Sequence, residues 1–180
     1  MLSTINEIIK LIPIPENPKE TGDSVSWENI EEQCKTALPD DYKWFINTYG
    51  SGQIGGFVNV FNPFSANKYI NLISQMKVIL DIERELKEND NDHERPYPLF
   101  PDEGGLFPFA GTDNGDVFFW KTTGNPSKWT VILADLRSPY YNEYDTTFSG
   151  TLEKLMKEEM NSRIIPKGFI DKTNLFTSFK

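Results

Sequence analysis

Three short runs, residues 106–110, 117–121 and 129–134, constrain the fold of this chain more than any other feature. Each is rich in the aromatic and β-branched residues that suit a pleated, half-buried surface. Asp113-Asn114-Gly115-Asp116 joins the first two, and its Asn-Gly pair favours a tight hairpin with positive φ at both centres. Gly124-Asn125-Pro126 supplies the next turn, so the three runs predict an antiparallel meander. An all-β fold is excluded by the segment before it. Over residues 68–88, Tyr69, Leu72, Ile73, Met76, Ile79, Leu80 and Leu86 recur every three or four positions, which predicts a long amphipathic helix.

The remaining periods follow the same division. Thr4 and Glu7 have capping-box spacing for a helix ending near Leu11, before Pro13, Pro15 and Pro18. A second helix, capped by Ser26, would bury Trp27, Ile30, Cys34 and Ala37. Pro39 suits the first position of a third, with Asp40 and Asp41 at the positive end of its dipole and Tyr42, Phe45, Ile46 and Tyr49 inward. Gly50 is placed to end it in a left-handed conformation. Residues 51–56 read as flexible turn, and the alternation from Phe57 to Phe61 as a strand. After a loop carrying Tyr140, Tyr141 and Tyr144, a last helix runs from Gly150 to about Ser162 on Leu152, Leu155, Met156 and Met160. Phe169, Phe176 and Phe179 lie in a tail that either docks on the body or stays loose. The expectation is a single α+β domain over residues 1–180, with helices packed on one side of a mainly antiparallel sheet, a core of about 24–162 and a tail at 163–180. Strand order is not deducible.

The core must form by packing alone. Thirteen Phe, seven Tyr and four Trp supply large apolar surface, while one cysteine and one histidine exclude an internal disulfide and the usual zinc sites. No run of about eighteen apolar residues occurs, and the start Met-Leu-Ser-Thr-Ile-Asn-Glu lacks a basic then apolar pattern, so a cytoplasmic location without membrane contact is expected.

Charge is the one uneven property. The net charge is −9, and residues 81–116 carry eleven acids against three bases, net −8. A field of this sign repels nucleic acid and speeds encounter with basic partners. Five of the eleven acids, Asp90, Asp92, Glu94, Asp102 and Glu103, lie in the predicted loop 90–105, where Pro96, Pro98 and Pro101 keep the chain extended or turned.

Two blocks of sequence carry a resemblance. Trp27-Glu28-Asn29-Ile30-Glu31, then Leu38-Pro39-Asp40-Asp41-Tyr42-Lys43-Trp44-Phe45 and Tyr49-Gly50, form the first. Leu106-Phe107-Pro108-Phe109-Ala110, Asn114-Gly115-Asp116 and Phe118-Phe119-Trp120 form the second. In this order they resemble the SUKH superfamily over about residues 24–135. The resemblance implies an α+β fold and, for most bacterial members, neutralisation of a delivered toxin, frequently a nuclease or deaminase. Eukaryotic relatives act as regulatory scaffolds, for example in cell-wall synthesis. It implies no catalytic residue set, so no active site, metal or cofactor is expected.

Other signals are weaker. Gly50-Ser51-Gly52-Gln53-Ile54-Gly55 matches Gly-x-Gly-x-x-Gly, but it follows a helix and precedes a strand, the reverse of a dinucleotide site. Asp113 and Asp116 lack the further oxygen ligands of a calcium loop, and His93 stands among carboxylates with no nucleophile in a recognisable motif. The expected contact surface is Asp90, Asp92, Glu94, Asp102 and Glu103, complementing the Lys and Arg of a basic substrate groove on a cognate toxin, with Tyr97 and Phe100 as aromatic anchors. The alternatives are a regulatory scaffold without a toxin partner, and an enzyme acting in the Gly-rich and acidic region.

Overall fold

The computed structural model describes residues 2–89 and 95–179. Within them the chain forms five α-helices and seven strands. The helices are α1 (Leu2–Leu11), α2 (Ser24–Cys34), α3 (Asp40–Tyr49), α4 (Leu72–Asn89) and α5 (Phe148–Met156). The strands are β1 (Gly52–Ile54), β2 (Val58–Val60), β3 (Leu106–Thr112), β4 (Asp116–Lys121), β5 (Thr130–Asp135), β6 (Tyr140–Tyr144) and β7 (Phe176–Ser178). These seven strands pair antiparallel throughout, in the order β6-β5-β4-β3-β2-β1-β7. The expected α+β class, antiparallel sheet and central meander are all present.

Strand register sorts side chains onto two faces. Trp120 opposes Val131 and Phe118 opposes Leu133, so these four share one face, while Val117, Phe119 and Ile132 share the other. Against the first face lie α3 and α5, because Tyr42 and Phe148 pack edge-on to each other at 5.3 Å and Tyr42 meets the Trp120 ring at 5.0 Å. α2 joins them through Trp27, 6.0 Å from Tyr42, and α1 packs on α5. The second face receives α4, whose Glu83 bonds Tyr141, the cross-strand partner of Ala134. The expectation that helices share one side thus holds for four of the five, and α4 lies opposite them.

Several local expectations are corrected by tertiary contacts. α1 starts at Leu2, ahead of Thr4, and Glu7 pairs with Lys10 at 2.6 Å and Lys157 at 3.3 Å instead of closing a capping box. α2 is capped by Asp23, which accepts from the Ser26 N–H at 2.8 Å, so Ser26 stands inside the helix. Pro39 precedes the first residue of α3, and Gly50 ends that helix at φ 68°, ψ −151°, a region open to glycine and distinct from the left-handed helix. A Cβ at Gly50 would stand 2.0 Å from the Lys19 carbonyl oxygen.

α4 begins at Leu72, after Asn71 accepts from the Ser74 N–H at 3.0 Å, which leaves Tyr69 outside the helix and 70% exposed. The β3–β4 connection is a three-residue loop in which only Gly115 takes positive φ, 88°, and its N–H donates to the Thr112 carbonyl at 3.0 Å. α5 stops at Met156, six residues early, where Glu158 turns to φ 56°.

Two segments read as irregular are strands. The Tyr140–Tyr144 run is β6, and part of the Gly-rich turn is β1. β1 exists because the tail closes over it: β7 pairs with it, Ile170 is buried, and Phe176 packs on Tyr49 at 5.3 Å. The tail therefore docks.

Candidate partner-binding surface

Asp90, Asp92 and Glu94 lie outside the described residues, as does His93. The residues on either side of that segment are firmly held. Asn89 donates to the Glu85 carbonyl at 2.8 Å at the end of α4. Arg95 is turned inward, its side chain 3% exposed, and stands 3.5 Å from the fully buried Glu83 carboxylate. The Tyr141 hydroxyl donates to Glu83 at 3.0 Å and accepts from Arg95 at 3.0 Å. Burial pushes the Glu83 carboxyl above its ordinary value, with Arg95 and Tyr141 opposing the shift. Burial likewise raises the Tyr141 phenol.

Sequence reasoning counted Glu83 only as one of eleven acids and did not find this node. A signal existed: Glu83 falls four residues after Ile79 and three after Leu80, on the apolar stripe that faces the sheet.

From Tyr97 onward the segment is pinned to the sheet. The Leu106 N–H donates to Pro98 and the Phe100 N–H to Leu106, a parallel extension of β3. The Thr122 N–H and hydroxyl both donate to Gly105, at 3.0 and 2.9 Å. Tyr97 and Phe100 are partly buried. The Tyr97 ring meets Tyr141 at 5.4 Å, its hydroxyl bonds Glu143 at 3.1 Å, and Lys121 stands 5.6 Å over its face. Phe100 packs on Phe107 at 4.9 Å. Both rings thus brace the segment against the body. Asp102 and Glu103 are exposed at its turn, where Glu103 accepts from the Gly124 N–H at 3.1 Å.

The acids of residues 81–116 do not form one patch. Glu83 is buried against Arg95, and Asp116 is buried against Thr112 and Arg137. Asp113 sits at the β3–β4 turn, accepting from Gln53 and Asn59 at 3.1 and 2.9 Å. That turn is a strand length, about 20 Å, from the Gly105–Thr122 end carrying Asp102 and Glu103. Among the described residues no group of three or more His, Cys, Asp or Glu is arranged to hold a metal. The Gly50–Gly55 stretch leads from α3 into β1, so its glycines open no helix. Cys34 is buried, and desolvation pushes its thiol up to about 12. Among the described residues no helix is long and apolar enough to cross a membrane.

No curated protein matches the chain. The family described as SMI1-KNR4 cell-wall, SUKH_6, matches residues 25–150, which span α2 through the start of α5 and include both sequence blocks that carried the resemblance. With more than two thirds of its length inside that match, the chain belongs to the SMI1-KNR4 cell-wall family of the SUKH superfamily.

Proposed function

We propose that the protein is a non-catalytic immunity factor that occludes the active site of a basic-grooved toxin, of nuclease or deaminase type. Membership of a superfamily that includes toxin immunity proteins carries this reading. The braced geometry around the acidic segment supports it, because Arg95, Tyr97 and Phe100 fix the frame from which Asp102 and Glu103 project. In this mechanism Asp90, Asp92, Glu94, Asp102 and Glu103 meet the Lys and Arg that would otherwise grip phosphates, and inhibition needs neither turnover nor cofactor.

Co-expression with a candidate toxin from a neighbouring reading frame tests the reading. Protection is the expected result, and equal killing with and without the protein contradicts it. Asp102→Lys with Glu103→Lys should weaken the complex about tenfold at low salt and flatten its salt dependence. The word cell-wall in the family's description favours a second reading, a regulatory scaffold with several cellular partners. That reading predicts multiple weak complexes in pull-downs and no toxin gene nearby.

A further inference from the structure

Two hollows that meet at Leu136 lie end to end beside α4, on the sheet face away from the other helices, and together form a groove. One wall is α4, where Gln75, Val78, Ile82 and Leu86 form a single stripe at helical spacing. The other wall is the face of β2, β3 and β4 with the turns at their ends, including Val117 on β4 and Leu136 just after β5. Gly111 puts no side chain between Asn59 and Val117, and the Phe61 ring covers it instead, 3.2 Å from where a Cβ would stand, and forms the floor there. The stripe is open to solvent, with Val78 50% and Ile82 39% exposed and Tyr69 70% exposed at the near end. From Gln75 to Asn89 it extends about 21 Å, the length of a helix of about fourteen residues.

Charge flanks the stripe on one side only. Asp81, Glu85 and Glu88 follow one another four and three residues apart, which sets three carboxylates along the outer margin of Val78 and Ile82. Lys77, Arg84 and Lys87 fall on the far side of the same helix. Arg84 reaches back to Asp81 at 2.6 Å, leaving Glu85 and Glu88 as the upper rail. Across the groove, Arg137 is engaged by Asp116 at 3.1 Å and Asp135 at 2.9 Å, and Lys68 lies over the Tyr69 ring. Asp113, held by amide donors, adds a carboxylate near the turn.

We propose that this groove seats an amphipathic, basic α-helix of a partner protein. Two or three apolar residues spaced three and four apart enter between Val78, Ile82 and Leu136, and Lys or Arg on the adjacent stripe meet Glu85 and Glu88. The helical period of the carboxylates matches the period at which such an occupant presents its bases. This deepens the binding reading above, on which it rests, by naming the chemistry of the partner's docking element.

The test uses the full chain, labelled with nitrogen-15, and synthetic peptides of about fifteen residues, long enough to span the groove as helices. One carries Leu at helical spacing with Lys alongside, a second replaces Lys by Glu, and a third replaces Leu by Ser. The Lys/Leu peptide should bind, shift the amides of Val78, Ile82, Gly111 and Gly115, and lose at least tenfold in affinity on Val78→Ser with Ile82→Ser. These side chains are exposed, so the variant should keep the parent's thermal transition. Glu85→Lys with Glu88→Lys should weaken the same peptide and leave the Glu/Leu peptide no weaker. Absence of Lys/Leu binding, equal binding of the Lys/Ser peptide, or shifts confined to Asp102 and Glu103 would overturn the proposal. So would concentration-dependent self-association through this stripe that excludes the peptide. Failure of toxin protection with peptide binding intact removes the immunity reading alone, while protection that survives Val78→Ser with Ile82→Ser and absent peptide binding removes the groove alone.

Discussion

Glu83→Ala tests the buried node that fixes the base of the acidic segment. The substitution removes the carboxylate 3.5 Å from Arg95 and leaves a guanidinium only 3% exposed without that anion, while the Tyr141 hydroxyl loses its acceptor. Breaking a buried pair from one side costs about 3–5 kcal/mol, since the surviving charge stays desolvated. Native domains have a total stability of about 5–15 kcal/mol, so the loss is a sizeable fraction. At about 2–4 °C per kcal/mol for a domain of this size, the midpoint should fall by about 6–20 °C in calorimetry or thermal circular dichroism. The decisive comparison is Glu83→Leu, Arg95→Met and Tyr141→Phe together, which removes the Glu83 carboxylate, the Arg95 guanidinium and the Tyr141 hydroxyl while keeping their volume. This triple variant should return to within about 1–2 kcal/mol of the parent. A single variant as stable as the parent, or a triple variant no better than the single, would refute the account of the node as a coupled buried pair.

Three other outcomes follow from local geometry. Because burial raises the Glu83 carboxyl above its ordinary 4.5, its favourable contribution is full below that pH and is lost as pH rises through the folded-state value. Glu83→Gln removes this titration, so parent stability should fall relative to the variant as pH rises above about 4.5, and a pH-independent difference in urea midpoints would contradict it. Cys34, 2% exposed and with its thiol pushed up to about 12, should react with thiol reagents at mildly alkaline pH only as fast as the native protein opens, and at once in denaturant. Ile170→Ala should cost about 2–5 kcal/mol by urea unfolding, since Ile170 is 4% exposed and seats on Gly55, whereas a tail merely resting on the body would lose less than about 0.5 kcal/mol.

Much of the architecture was legible where local pattern and final packing agree. The inward positions of α3, namely Tyr42, Phe45, Ile46 and Tyr49, are all buried as their spacing predicts. Helix limits were less legible, because Asp23 and Asn71 cap from outside the apolar pattern that defines the helices. The candidate surface was legible in composition and only partly in geometry. Exposure of Asp102 and Glu103 follows from their type and turn context, but Tyr97 and Phe100 are fastened to partners on β6 and β3 that no local signal connects to them.

The sequence by itself determined the class of the fold, its central meander, its longest helix, its family and its concentration of negative charge. Periodicity, turn residues and charge are properties of neighbours along the chain, so a linear reading reaches them. Tertiary structure alone decided that β7 closes the edge of β1, that Tyr140–Tyr144 is a strand, that α4 crosses to the opposite face, and that Glu83 is a buried ion-pair member and not part of an acidic surface. Each of those outcomes depends on groups from different elements sharing hydrogen bonds or excluding water together, and the energy of such a pairing is written in neither partner's local sequence.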